Sequence, residues 1–304
     1  MLRSDFCVFI LSHGRADRLY TLKTLRRGNY TGQWFVVIDN EDDQSDEYIR
    51  RYGEDHVVIF DKLARSQHVD TPDLSDDRRT IVYARNECFD IARQLGFRYF
   101  LELDDDYTDF QYRHEGDGKL LIDSAKNLDD IFELMLQFLD TSGALTVAFA
   151  QGGDMIGGKN AGNYRKGLLR KAMNTFFCDT EKPFSFVGRI NEDVNTYTTL
   201  GNKGELIFTY TPFMITQKTT QKNAGGMTDT YLDMGTYLKS FYSVVYSPQA
   251  VKVGEMGDKH KRIHHLVNWD RCVPQIINQK WQKQKRPANG SNSAFGTALN
   301  ITSS

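Results

Sequence analysis

Three consecutive aspartates, Asp104, Asp105 and Asp106, end the apolar run in RYFLELDDDY. Like charges set this close repel one another unless a cation stands among them. Oxygen ligands of this kind suit a hard divalent ion, Mg2+ or Mn2+, which in turn holds a diphosphate. Alternate residues of an extended segment point the same way, so Asp104 and Asp106 are expected to act together on the metal. Asp105 turns aside to fix the loop around the same ligand. A solvated turn is the bland alternative, and three carboxylates in a row weigh against it.

Other residues of suitable chemistry lie far away in the chain. Ser12, His13 and Arg15, in SHGR, offer hydroxyl, imidazole and guanidinium groups beside a helix start, a good setting for phosphate and ribose. The same turn lacks G-x-G-x-x-G, which disfavours a dehydrogenase. Asp39, ending a second apolar run, is placed to accept a hydrogen bond from a base N–H, with turn chemistry as the alternative. Arg85 and Asn86 interrupt the helix that leads to the triplet; a solvated charge is the alternative for Arg85. Gly152 and Gly153 open a glycine-rich stretch that allows close backbone approach to a ligand. Gly153 to Lys159 also fits G-x-x-x-x-G-K, but Asn160 stands where a P-loop needs Ser or Thr, so the match reads as accidental. In NEDVN, Glu192 and Asp193 serve as helix caps or, if a sugar donor sits on the triplet, supply a general base. Three of the seven histidines, His260, His264 and His265, cluster near the C-terminus and suggest one further metal ligand, without spacing deciding which.

The elements that must position these groups alternate. Phe6–Leu11 reads as a strand, the segment through Leu19, Leu22 and Leu25 as a helix ended by Gly28, and 34–38 and 57–60 as further strands around a short helix. Residues 61–79 read as a polar loop. A helix through Ile81, Cys88, Ile91 and Leu95 then leads to the strand that delivers the aspartates. Such alternation implies a mainly parallel sheet with helices on both faces, and ligands bind such sheets at the carboxyl ends of their strands. Further on come a helix from Asn127, a strand at 144–150, a helix to Gly201, a long strand at 205–216 and a helix–strand pair up to Tyr246. No internal repeat or linker divides the chain.

Composition narrows the classes. With 304 residues and 40% hydrophobic content the chain is globular, and a net charge of −2 gives no bulk attraction to nucleic acid or membrane. Cys7, Cys88, Cys178 and Cys272 are too dispersed for a zinc or redox motif. No apolar run approaches the roughly 20 residues of a membrane span. A cytoplasmic protein without membrane contact is the expectation.

The ordered set FILSHGRADR, YARNECFDIA, FLELDDD, AQGGDMIGG, INEDVN and HKRIHH resembles the TET/JBP-associated glycosyltransferases of phages and kinetoplastids, over roughly residues 1 to 270. That resemblance implies a GT-A fold over residues 1–282, with 1–110 the nucleotide-binding half and 111–282 the acceptor-binding half; the tail at 283–304 is polar and low in large apolar residues, and is expected to be disordered. It implies a UDP-sugar donor and, as acceptor, the hydroxymethyl group of 5-hydroxymethylcytosine or 5-hydroxymethyluracil in DNA. Asp104 and Asp106 would hold the metal and donor, Asp193 would be the base with Glu192 beside it, and a C-terminal histidine would complete the metal. DNA phosphates would meet Arg165, Lys166, Arg170 and Lys171, then Lys280, Lys283, Lys285 and Arg286; solvated faces are the alternative. Competing readings are a transferase acting on a carbohydrate, lipid or protein hydroxyl, a P-loop kinase or NTPase centred on Lys159, and an inert DNA-binding module.

Overall fold

A computed structural model describes residues 2–73, 75–218, 227–257 and 261–274. The strands are β1 (Phe6–Leu11), β2 (Gln33–Asp39), β3 (Val57–Phe60), β4 (Tyr99–Asp104), β5 (Tyr107–Gly116), β6 (Lys119–Ser124), β7 (Thr146–Ala150), β8 (Leu168–Leu169), β9 (Thr175–Asp179), β10 (Ile207–Gln217), β11 (Val251–Met256) and β12 (Arg262–Val267). The helices are α1 (Tyr20–Arg27), α2 (Ser45–Tyr52), α3 (Lys62–Ser66), α4 (Val82–Gln94), α5 (Leu128–Ser142), α6 (Gly162–Lys166), α7 (Glu192–Asn202) and α8 (Met227–Tyr246), the last broken at Gly235.

The main sheet runs β3-β2-β1-β4-β9-β7-β10-β5-β6, with β8 beside β10. Its first four strands are mutually parallel, as the alternating pattern leads one to expect. Beyond β4 it is mixed: β9 lies antiparallel between β4 and β7, and β5 and β6 form an antiparallel hairpin. The hairpin's two-residue turn is Asp117-Gly118, both at positive φ, which is the turn that a right-twisted ribbon prefers. The expected helix–strand pair up to Tyr246 is instead one helical segment, and α3 occupies part of the expected polar loop. In α3 the Asp61 side chain accepts from the Ala64 amide, a cap that fixes the helix start.

Both faces of the parallel part are covered. Phe6, Val8 and Ile10 of β1 pack with Leu22 and Leu25 of α1 and Phe132, Leu136 and Leu139 of α5. The alternate residues Cys7, Phe9 and Leu11 pack with Val82, Cys88 and Phe89 of α4. The run FCVFIL is therefore apolar throughout because neither face meets water. Along β4 the same alternation sends Tyr99, Leu101 and Leu103 to the α1–α5 side and Phe100 to the α4 side. It follows that Glu102 and Asp104 also face α4. That face is where the chemistry gathers. No helix among the described residues is long and apolar enough to cross a membrane.

Candidate active site

β4 ends beside β1, with Asp104 in register with Leu11, so the SHGR turn and the aspartates meet at one carboxyl edge. The start of α1 grips the triplet's backbone. Thr21 donates its amide to the Asp105 carbonyl and its hydroxyl to the Asp104 carbonyl, and its Oγ1 accepts from the Tyr107 amide at 3.0 Å. Asp105 is buried; its carboxylate accepts from Ser12 Oγ at 2.6 Å and Arg15 Nη1 at 3.0 Å. Ser12 Oγ also meets the hydroxyl of Tyr48, which accepts the Arg15 amide. Ser12, Arg15 and Asp105 thus form one network that shapes the loop.

Asp106 is partly exposed, and burial, then the charges of Asp104 and Asp105, push its carboxyl up to about 7. Burial also raises Asp104 and Asp105, against the opposing pull of Arg85 and Arg15 respectively. This is a site with more negative charge than its own cations neutralise. Among the described residues, no three His, Cys, Asp or Glu side chains gather in a way that could hold a metal. The triplet fits a Mg2+-type ion that takes one or two carboxylates and its remaining ligands from diphosphate and water.

His13 Nδ1 lies 2.9 Å from Asp39 Oδ2, and that hydrogen bond holds the imidazole above its ordinary value. Asp39 Oδ1 accepts from Lys62 Nζ at 3.3 Å and from the Glu41 amide at 3.1 Å. Burial pushes the Asp39 carboxyl up, but His13 and Lys62 outweigh it and leave it below the usual carboxylate range. Both oxygens of Asp39 are occupied, and the outward group of the pair is His13.

The opposite wall comes from α7. Asn191 adopts a left-handed conformation and donates Nδ2 to the Lys239 carbonyl and Ser243 Oγ of α8. Asn195 Nδ2 donates to the carbonyls of Val187 and Ile190. The two asparagines of NEDVN are thus anchors that present Glu192 and Asp193 between them. Burial and then the neighbouring Glu192 push the Asp193 carboxyl up to about 7, and the charges of Arg85 and Asp104 are near enough to act on it.

Arg85 joins the two walls. It is 1% exposed, which excludes the solvated-charge reading, and its guanidinium meets Glu192 Oε1 at 3.2 Å, Glu102 Oε2 at 3.4 Å and Asp104 Oδ1 at 3.0 Å. Asn86 exchanges two hydrogen bonds with the backbone of Phe186, closing the segment that leads to α7.

Gly152 and Gly153 lie exposed on a short 3-10 turn, and the α-helix nearest after Lys159 is the five-residue α6, too short to present a P-loop helix. Arg165, Lys166 and Arg170 are exposed, and Arg170 donates to the Trp269 carbonyl. Lys171 is paired with the buried Asp154. His264 and His265 lie on β12, where burial and the charges of Arg262 and Lys239 lower both, His265 to about 3. His260, Lys280, Lys283, Lys285, Arg286 and the tail lie outside the described residues.

Sequence reasoning missed Thr21, Lys62, Glu102 and Lys239. Only Glu102 carried a signal, as a charge alternating in phase with Asp104 inside an apolar strand.

Residues 6–226 match the family described as TET-Associated Glycosyltransferase. No curated protein matches the sequence. Similar solved structures include glucosyl-3-phosphoglycerate synthase from Mycobacterium tuberculosis with Mn2+ and UDP-glucose, at 9% identity over 86% of each chain and a TM-score of 0.45. The same enzyme with Mg2+ and UDP gives 10% identity over 86% of this chain and 87% of that one, with a TM-score of 0.42.

Proposed function

The chain belongs to the TET-Associated Glycosyltransferase family and is a glycosyltransferase; from that premise we propose that it moves a sugar from a UDP-sugar, with inversion, to the hydroxymethyl oxygen of 5-hydroxymethylcytosine or 5-hydroxymethyluracil in DNA. The observation that carries the division of roles is the shared guanidinium. Arg85 ties Asp104, at the carboxyl edge of the nucleotide-binding strands, to Glu192, next to Asp193.

The donor lies at the edge of β1, β2 and β4, with the nucleotide against Ser12, His13 and Arg15. Asp104 and Asp106 hold a Mn2+ or Mg2+ ion, which when bound offsets the negative charge that develops on the departing diphosphate. Asp193 accepts the proton of the acceptor hydroxyl as that oxygen attacks the anomeric carbon. A carboxyl that titrates near 7 is matched to this task at neutral pH, since it is both available as a base and strong enough to use. The walls align donor and acceptor for a single displacement. A base inside a duplex cannot reach such a crevice, so the target nucleotide is flipped out or taken from a single strand. Arg165, Lys166 and Arg170 are the exposed cations for its phosphates.

The test incubates the protein and Mn2+ with several UDP-sugars and with DNA containing 5-hydroxymethylcytosine, 5-hydroxymethyluracil or neither, and weighs the digested nucleosides. A hexose mass on a hydroxymethylated base alone is the expected result. No hexose on any base from a folded protein, or transfer to unmodified DNA, refutes the DNA acceptor and leaves a carbohydrate, lipid or protein hydroxyl in its place.

A further inference from the structure

Arg85 is among the largest fully buried side chains described, and its environment is unusual for a cation. Three carboxylates from two elements surround it, Glu102 and Asp104 of β4 and Glu192 of α7, at 3.0 to 3.4 Å. The guanidinium carbon also lies 4.8 Å from the ring centroid of Phe176 and 5.8 Å from that of Phe186, so aromatic faces close it off from solvent. The planar fork of an arginine holds several acceptors in a fixed mutual geometry, which the point charge of a lysine cannot do.

We propose that Arg85 is a positioning residue that couples the donor and acceptor walls: one guanidinium sets the Asp104 carboxylate and the first turn of α7, which carries Asp193, in a single arrangement. Its burial and its three partners keep it away from the reacting atoms. It therefore acts through Asp104 and Glu192, and donor binding at one wall is sensed at the other. The proposal rests on the glycosyltransferase reading of the site but not on DNA as the acceptor.

The experiment is a double-mutant cycle of Arg85→Lys and Glu192→Gln, read by calorimetric binding of UDP in the presence of Mn2+ and by urea unfolding of the ligand-free protein. Lysine is used because Arg85→Met leaves the buried carboxylates of Glu102 and Glu192, and the half-buried one of Asp104, without this cation, and such a variant is expected not to fold. Glu192→Gln is expected to weaken UDP binding at least about fivefold, and to have less than about a twofold effect once Arg85 is lysine. An arginine that merely filled the core would leave the Glu192 effect unchanged when lysine replaces it. Equal losses in both backgrounds, or wild-type affinity in Glu192→Gln, overturn the proposal. Wild-type protein that binds no UDP overturns instead the donor reading. The unfolding cycle then decides the coupling on its own, and additive effects there refute it.

Discussion

Replacing Asp193 with Asn separates the proposed base from every structural role in its neighbourhood. In the folded chain Asp193 is held at about 7, against an ordinary 3.8, by burial and then by Glu192. Moving a carboxyl that far corresponds to roughly 4 kcal/mol opposing its ionisation. The sign comes from proton binding. Between the two values the unfolded chain has released the proton and the folded chain still holds it, so stability falls as pH rises from about 4 to about 7. Asparagine cannot ionise and escapes this loss. From pH 5 to pH 8 the full effect is about 3 kcal/mol, and solvent screening at a half-buried carboxyl reduces the expectation to roughly 1–2 kcal/mol. Urea unfolding of the two proteins across that range measures it: Asp193→Asn should become progressively the more stable. The same variant should lose transfer by about 100- to 10,000-fold, with UDP binding intact. In the wild type, kcat/KM should rise about tenfold per pH unit and level off above about pH 7. Parallel stabilities of the two proteins between pH 5 and pH 8 refute the electrostatic reasoning. Lost UDP binding in Asp193→Asn shows that the residue belongs to the donor wall.

Asp106→Asn removes one of three crowded like charges, so the ligand-free variant should melt higher than the wild type at pH 8 in a thermal scan. In the wild type, UDP with Mn2+ at about 100 times its dissociation constant should add roughly 2.7 kcal/mol of stability, and this gain should vanish in the variant. Asp39→Asn should lower the titration midpoint of His13 in an NMR pH series, because the Asp39 hydrogen bond is the largest cause of its raised value. The stability that this pair contributes in the wild type is complete below the ordinary value of 6.5 and is lost as pH rises through the raised one. Gly188→Ala should destabilise by roughly 1–3 kcal/mol in urea. Its φ is +81°, and an added Cβ would meet Asn195 Nδ2 and ring carbons of Tyr246 and Tyr242 at 2.8 and 2.9 Å.

Patterns that depend on near neighbours in the chain were readable without coordinates. Continuous apolar runs and period-3.6 apolar spacings placed β1, α1, β2, α4 and β4, and the aspartates gather where β4 ends because a run of adjacent charges cannot continue a strand buried on both faces. The hairpin at 107–124 was equally local, since Asp117-Gly118 is a hairpin signal, and it went unread. The strand β9 carried only TFFCD, a run too short to distinguish a strand from buried helix, and nothing in it announced an antiparallel insertion between two parallel pieces.

By itself, the sequence determined that a run of carboxylates ends a buried strand at the ligand edge of an α/β sheet, and that a second acidic pair opens a later helix. These are statements about composition and short spacing, and short-range sterics and burial enforce them. Which charges neutralise one another was decided only by the tertiary structure. Arg85 looked like a solvated helix charge and is a buried hub; Lys171 looked like a phosphate contact and is paired with Asp154; Asp39 looked open to a base and is closed by Lys62 and His13. Those pairings join residues distant in the chain, and charge interactions depend on separation in space and on the surrounding dielectric, neither of which a linear pattern records.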